Sequence, residues 1–456
     1  MTISNCRGIR LFCFILFALC GLCSLFGEAR AEQAEDTNPQ GEGRIWIPRF
    51  AFPPADASEQ AGYFNFWHRD FSLEYLRYTL YLSRAAGLEI TKKNSEFYLR
   101  IGGRIYVDFV NYFEDKNDLG PDGAGLRTLQ IDADGRFSDK WLYRASIGGL
   151  TSGGRFDGSG AYLDDAYVAF VDAKDAWLFG QQDEPFSLEQ MTSSAATTFM
   201  ERALPNALAP GKTVGVSFRT TRNQWAMSAG LFGNDLATTK DGGALGYGFT
   251  GRVVLRPQGA GDRMYHLGGS VSYRSIPSDR SVYFRSRPES GLTDVRYVNT
   301  GNTLDVDHVK RLGLEAAFRS GPLSLQSEYM MASVDRGSGF DDSRFYGWYV
   351  YVSWFLGGGS REYLADEAIF AYPKVHSKWG AVELGARYSM LNLNDGSIAG
   401  GLERNLTFGI NWYLSRKIRL MANYILVFCD ENANDNGTVK GGDAPQILMV
   451  RLQLRF

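Results

Sequence analysis

Along most of this chain apolar and polar residues alternate with a period of two. In 445–456, Leu448, Val450, Leu452, Leu454 and Phe456 share one parity, and Met449, Arg451, Gln453 and Arg455 fall between them. A strand built this way has one apolar face and one largely cationic face, and the period excludes a helix. The pattern recurs upstream in segments of about ten residues, the length of a tilted strand that crosses a bilayer. Sixteen such segments stand at 96–112, 126–138, 141–151, 161–172, 176–182, 213–221, 224–233, 246–256, 263–274, 309–319, 321–333, 345–357, 379–391, 402–415, 417–430 and 445–456.

The connectors alternate in length. Those at 138–140, 172–175, 222–223 and 320–322 are tight, while 113–125, 183–212, 234–245, 275–308 and 431–444 are long. Short turns on one side and long loops on the other predict an all-β protein, a 16-stranded antiparallel transmembrane β-barrel. The connector 358–378 breaks the rule, being long on the short-turn side. One parity collects Ile101, Ile105, Val107, Phe109, Tyr143, Ala145, Ile147, Leu267, Val271, Tyr273, Leu384, Ala386, Tyr388, Leu420, Ala422, Tyr424 and Leu426, and is assigned to lipid. The other collects Arg100, Arg104, Arg144, Arg252, Arg274, Arg311, Arg387, Arg419 and Arg451, with Asp108, Asp132, Glu315, Glu328 and Glu383. This face predicts a polar lumen and hence a channel.

The chain begins with a different pattern. Arg7 and Arg10 precede an apolar run from Leu11 to Phe26, followed by Ala29-Arg30-Ala31, which reads as a secretory signal over 1–31. Residues 32–95 are expected to form an N-terminal periplasmic or plug-like segment, with a short amphipathic helix over 71–86, before a barrel over 96–456. Four of the five cysteines fall inside the signal, leaving Cys429 and no internal disulfide. Removing Arg7, Arg10, Arg30 and Glu28 from 48 Lys+Arg and 51 Asp+Glu leaves 45 against 50, a net charge of −5. That balance excludes a nucleic-acid partner. With 24 Tyr, 30 Phe, 9 Trp and 52 Gly, the composition suits aromatic-rich barrel strands.

Two loops carry the candidate chemistry. The stretch 183–212 holds Glu189, Glu201, Arg202, Pro205, Asn206, Pro210, Gly211 and Lys212, and its length predicts a third outer loop that folds into the barrel and narrows it, the alternative being a cap over the mouth. The loop 275–308 holds Arg280, Arg285, Arg287 and Arg296; guanidinium groups offer permanent charge and bidentate donors to phosphate or carboxylate, and the alternative partners are lipopolysaccharide phosphates or Glu289 and Asp294. Motifs for hydrolases, nucleotide binding, cofactors or metals do not stand out, and the pair His266 and Ser270 is the one enzyme constellation that adjacent strands would bring together.

Several stretches resemble the phosphate-selective porin O and P family over roughly 88–456. They are Phe97-Tyr-Leu-Arg-Ile-Gly-Gly-Arg104, Tyr162-Leu-Asp-Asp-Ala166, Phe179-Gly-Gln181, Thr192-Ser-Ser194, Met200-Glu-Arg202, Trp379-Gly-Ala-Val-Glu-Leu384, Gly409-Ile-Asn-Trp-Tyr413 and Val450-Arg-Leu-Gln-Leu-Arg-Phe456. The resemblance implies an outer-membrane channel for anions such as phosphate, set in lipid and lipopolysaccharide and assembled as a homotrimer. It assigns Arg104 to the lumen, Asp164 to the constriction, and Arg285, Arg287 and Arg296 to a ladder of arginines; Arg252, Arg274 and Lys212 join them as pore-lining candidates. Ala195 stands where the family has a lysine, and Arg127-Thr128 where it has two arginines. By parity Thr128 faces the lumen and Arg127 does not, so the basic constriction is thinned at both places. The expected function is anion passage with a weak phosphate preference, against a general diffusion porin without that preference or, further off, a barrel enzyme.

Overall fold

A computed structural model describes residues 71–456 apart from 76–77, 84–86, 93–94, 114, 153–154, 235–245, 258, 260–261, 278–280, 304, 338, 358, 376 and 378. The signal over 1–31 and the segment 32–70 lie outside the described residues.

Sixteen antiparallel strands close into a barrel among the described residues: Tyr98–Phe113, Gly123–Arg136, Trp141–Ser152, Arg155–Asp172, Asp175–Asp183, Lys212–Thr221, Trp225–Phe232, Gly248–Leu255, Arg263–Ser275, Val306–Ser320, Leu323–Arg336, Ser343–Leu356, Ala381–Asp395, Ile398–Tyr413, Ile418–Cys429 and Gln446–Arg455. Each of the sixteen segments read from period-two alternation overlaps one of them. The ring closes where Gln446–Arg455 pairs with Phe113 to Arg104. Phe456 extends the seam, its N–H donating to Gly103 O at 3.0 Å and its carbonyl accepting from Gly103 N at 2.9 Å. Gly103 is required at that closure, because a Cβ there would sit 2.4 Å from Gln130 O and 2.7 Å from the Phe456 ring.

The parity assignment sorts the two faces. Phe109, Ile147, Leu267 and Val271 are 51–54% exposed on the outer, lipid-facing surface. Aromatic pairs gather on this outer face near the short turns, with Trp141 on Phe170 at 5.2 Å, Trp177 on Phe218 at 5.0 Å and Tyr265 on Phe318 at 5.2 Å. Amphipathic rings at that height form the girdle that holds a barrel at the membrane interface.

Three features depart from the sequence reading. The described residues of 71–86 are strands rather than a helix: Phe71–Tyr75, Tyr78–Ser83 and Gly87–Lys92 form a meander, and Leu88 to Thr91 pairs with Ile101 to Tyr98 beside the barrel seam. Phe71, Leu73 and Tyr75 alternate with Ser72 and Glu74, a period of two that the helical reading passed over. Arg127 faces inward rather than outward, because a β-bulge pairs Tyr106 with Thr128 but Val107 with Leu126, leaving Arg127 as the extra residue and resetting the parity. A second bulge, with Ser146 opposite Asp165 and Ile147 opposite Leu163, makes Asp164 the extra residue of its strand. Lastly, the long connector on the short-turn side is a hairpin, Ser360–Leu364 with Ile369–Lys374, folded up into the barrel.

Candidate conduction pathway

The inward loop is built on the barrel's far wall. Ser187 caps the single helical turn Leu188–Met191, accepting from Gln190 N at 3.1 Å. The Glu328 carboxylate then takes the N–H groups of Leu188 and Glu189 at 3.0 and 2.8 Å. From there to the short 3-10 helix Leu204–Leu208 the chain is extended or turned, so its carbonyls need donors. Wall arginines supply them: Arg419 donates to Thr197 O at 2.8 Å, Arg451 to Met200 O at 2.6 Å and Arg387 to Glu201 O at 3.1 Å. Asn411 adds Thr198 O at 2.8 Å. The loop leaves from Asp175–Asp183 and returns through Lys212–Thr221, yet its partners stand on Leu323–Arg336 and on the strands from Ala381 onward. It therefore crosses the lumen. The arginines expected to line water at 387, 419 and 451 instead hold this loop, and all three are almost fully buried.

Glu201 ties the loop's middle to both sides of the barrel seam. It accepts from Arg127 Nε and Nη2 at 2.8 Å each and from Arg451 Nη2 at 2.7 Å, while Arg451 also grips Asp108 at 2.6 and 2.7 Å. Burial alone would raise the Glu201 pKa, but Arg127 and Arg451 outweigh it and hold the group at about 2.

A second outer loop also folds in, which the sequence reading did not anticipate. Between Arg263–Ser275 and Val306–Ser320 the chain forms a small ladder of Arg285–Ser286 with Val298–Asn299. Phe284, Tyr297 and Val298 are buried with Leu391, Leu393 and Ile425 of the far wall. Glu289 pairs with Arg387 at 2.6 Å and accepts from Thr407 Oγ1 at 2.6 Å. Apolar Phe284, Tyr297 and Val298 inside a long loop were the available signal.

From the short-turn side the hairpin closes the same half of the barrel. Arg361 lies 3.7 Å from the Phe370 ring centroid and donates to Gln326 Oε1 at 3.2 Å. Arg252 donates to Ala368 O at 3.0 Å and Thr221 to Asp366 O at 2.8 Å. Ile369 and Phe370 pack on Leu188 and Met191, so hairpin and loop meet inside the barrel.

What remains open lies along the first strands. The side chains of Arg100, Arg127, Asp164 and Lys212 are 17–33% exposed, against 1–3% for Arg252, Arg387 and Arg451. Arg104 donates to Gln130 Oε1 at 2.9 Å and to Ser193 Oγ of the loop at 3.2 Å, and makes no ion pair among the described residues. Lys212 faces Asp164 at 3.3 Å, Asp183 at 3.5 Å and Asp165 more closely still. Arg144 bridges Asp132 at 3.2 Å and Asp165 at 2.9 Å. Thus Arg104, Asp164 and Lys212 share one corridor. Arg252 points inward but is sequestered with Glu315 at 2.8 Å beneath the hairpin. Arg274 binds Glu184 and, with Arg311 and Thr213, borders a cavity of about 200 Å³.

The ladder residues sit together above the corridor. Arg285 stacks on Tyr283 at 4.5 Å, Arg287 pairs with Asp294 at 3.0 Å, and Arg296 donates to Asp294 O at 3.1 Å. Burial and the charges of Arg287 and Arg285 lower the Arg296 pKa. The enzyme constellation does not form. Both ring nitrogens of His266 are engaged, by Tyr363 Oη at 2.7 Å and Glu315 at 2.9 Å, and the Ser270 hydroxyl has no partner.

Excising residues 360–374 and rejoining the chain with a short turn is expected to raise conductance without releasing the loop, whose anchors lie elsewhere. Single-channel recording checks this, and an unchanged conductance would mean that the hairpin obstructs nothing.

A closed barrel with a lipid-facing outer surface, a polar interior and an inward loop defines an outer-membrane porin. The chain belongs to the phosphate-selective porin O and P family, whose sequence model matches residues 99–456. It is 27% identical over 407 residues to Porin O of Pseudomonas aeruginosa, covering 81% of this chain and 91% of that protein. The fold is shared with OmpF of Salmonella typhi (TM-score 0.51, 12% identity, 81% of this chain and 100% of that one). It is shared equally with an anion-selective porin from Comamonas acidovorans (TM-score 0.50, 12% identity, 78% and 99%). The protein is an anion porin of the bacterial outer membrane.

Proposed function

We propose that the channel favours phosphate over chloride only weakly, with Arg285, Arg287 and Arg296 gathering anions at the outer mouth and Arg104 passing them on. The observation that carries this reading is the company each corridor cation keeps. Arg104 has amide and hydroxyl partners, so its charge acts on a passing ion. Lys212 is surrounded by Asp164, Asp165 and Asp183, which cancel it. Ala195 and Thr128 add no charge. The mouth is stronger: three guanidiniums close enough to depress one pKa attract an anion without a deep trap. The net charge of −5 matters less, since ions in the corridor feel groups within about a Debye length, ~8 Å at physiological salt.

Arg252 and Arg274 serve as struts in this reading. With His266 locked between two partners, the barrel is a passive channel rather than an enzyme. A homotrimer is supported by the trimer form of an outer membrane protein of Vibrio cholerae that shares the fold. Export would use residues 1–31 as a cleaved signal, and lipopolysaccharide would surround the mouth.

The test is the chloride current of single channels titrated with phosphate. The wild type is expected to be blocked only at high phosphate, and Arg285→Ala with Arg287→Ala to weaken that block further. A block insensitive to both substitutions removes the ladder from the reading.

A further inference from the structure

We propose that Glu201 is the residue that sets how strongly this channel prefers anions: a fixed counter-charge, carried on the inward loop, that masks Arg127 where the arginine ladder meets the corridor. The inference deepens the anion reading and rests on it.

The bulge in Gly123–Arg136 is what brings Arg127 into the lumen, restoring a basic group that strict alternation would have sent to lipid. Its side chain is 33% exposed, so its charge reaches passing ions. The ladder arrives at the same point. Gly291 lies between Arg287 and Arg296, and a Cβ on it would fall 2.2 Å from Arg127 Nε and 3.0 Å from Glu201 Oε1. The ladder loop's backbone therefore rests on the Arg127–Glu201 pair, and an anion leaving Arg287 or Arg296 comes next to that pair. Arg127 and Arg451 face Glu201 and Asp108, two charges of each sign. The group is neutral as it stands. Removing the Glu201 charge leaves it at +1, with Arg127 as the exposed member.

Structural anchoring does not require that charge. The loop keeps Arg451 on Met200 O, Arg387 on Glu201 O and Arg419 on Thr197 O, all to backbone carbonyls, and a glutamine at 201 still offers an oxygen to Arg127. Wall arginines hold the loop; the carboxylate adjusts the field.

The experiment is a double-mutant cycle of E201Q and R127Q, read as the anion-to-cation permeability ratio from reversal potentials of the full channel in planar bilayers under a potassium chloride gradient. E201Q is expected to raise the ratio about two- to fivefold, the scale of one added charge acting within a Debye length. The double variant is expected to return to the wild-type ratio, because it removes one charge of each sign. R127Q alone is expected to lower the ratio by a similar factor, and if the double variant instead keeps the raised ratio of E201Q, Arg127 contributes nothing to the field, the carboxylate does not act by masking it and the proposal falls. If E201Q raises conductance to both ions with no change in ratio, Glu201 is only an anchor and the proposal falls as well. A cation-selective wild type would refute the anion reading by itself, while the cycle would still report whether the two residues are coupled.

Discussion

Deleting residues 190–205 is expected to raise single-channel conductance severalfold and to lower the melting temperature of the barrel. The segment spans the lumen between anchors on the far wall, so its removal opens the cross-section that it fills. It also takes Met200 and Leu204 from the largest apolar cluster inside the barrel and Phe199 from its packing against Tyr349 and Tyr351. Arg387 and Arg419 would lose their backbone acceptors, and Glu383 would lose Thr198. Water can replace those partners in an open pore, which is why the barrel is expected to survive, less stable, rather than fail to form. An intact barrel with unchanged conductance would show that the loop does not narrow the pore. Acid should not mimic the deletion. Glu201, held at about 2, contributes stability that is whole above its ordinary carboxylate range and is lost progressively as pH falls from that range to about 2, while the carboxylate itself stays charged, so its grip on Arg127 and Arg451 persists between pH 7 and 4.

Arg451→Met should be the most damaging single substitution at the seam. Arg451 is 2% exposed and joins the last strand to the first through Asp108, and the last strand to the inward loop through Glu201 and Met200 O. Methionine fills similar volume but leaves Asp108 as a buried carboxylate without its guanidinium. Breaking a buried pair from one side costs about 3–5 kcal/mol, far more than losing a surface ion pair. Thermal unfolding followed by the loss of strand circular dichroism measures it. Asp108→Asn in the same background should recover much of the loss, and a single variant as stable as the wild type would mean that water reaches Asp108.

Period two carried the sixteen strands and the two faces because lipid on one side and polar groups on the other impose it at every position. It failed where tertiary contact overrides alternation. Arg127 faces inward because Glu201, 74 residues away, draws it in at a bulge, and one strand read alone holds no trace of that partner. The row of inward arginines was legible, but its role was not: Arg387, Arg419 and Arg451 look like a water-filled lumen until the loop that they hold is known. The hairpin 360–374 has the same character, since Arg361, Tyr363 and Phe370 read as irregular connector residues until Gln326, His266 and Leu188 are seen around them. Loop 183–212 was betrayed by its length, whereas 275–308 is longer still and buries Glu289 and Tyr297, yet its arginines are the feature that stands out in the sequence.

Anion selectivity is the channel's central property, and the reversal potential of the wild type under a potassium chloride gradient tests it most directly. A potential near the chloride equilibrium value is predicted, moving toward zero when Arg104 is changed to alanine. A potential on the potassium side would contradict it, and would mean that Asp132, Asp164, Asp165 and Asp183, not the arginines, govern the corridor.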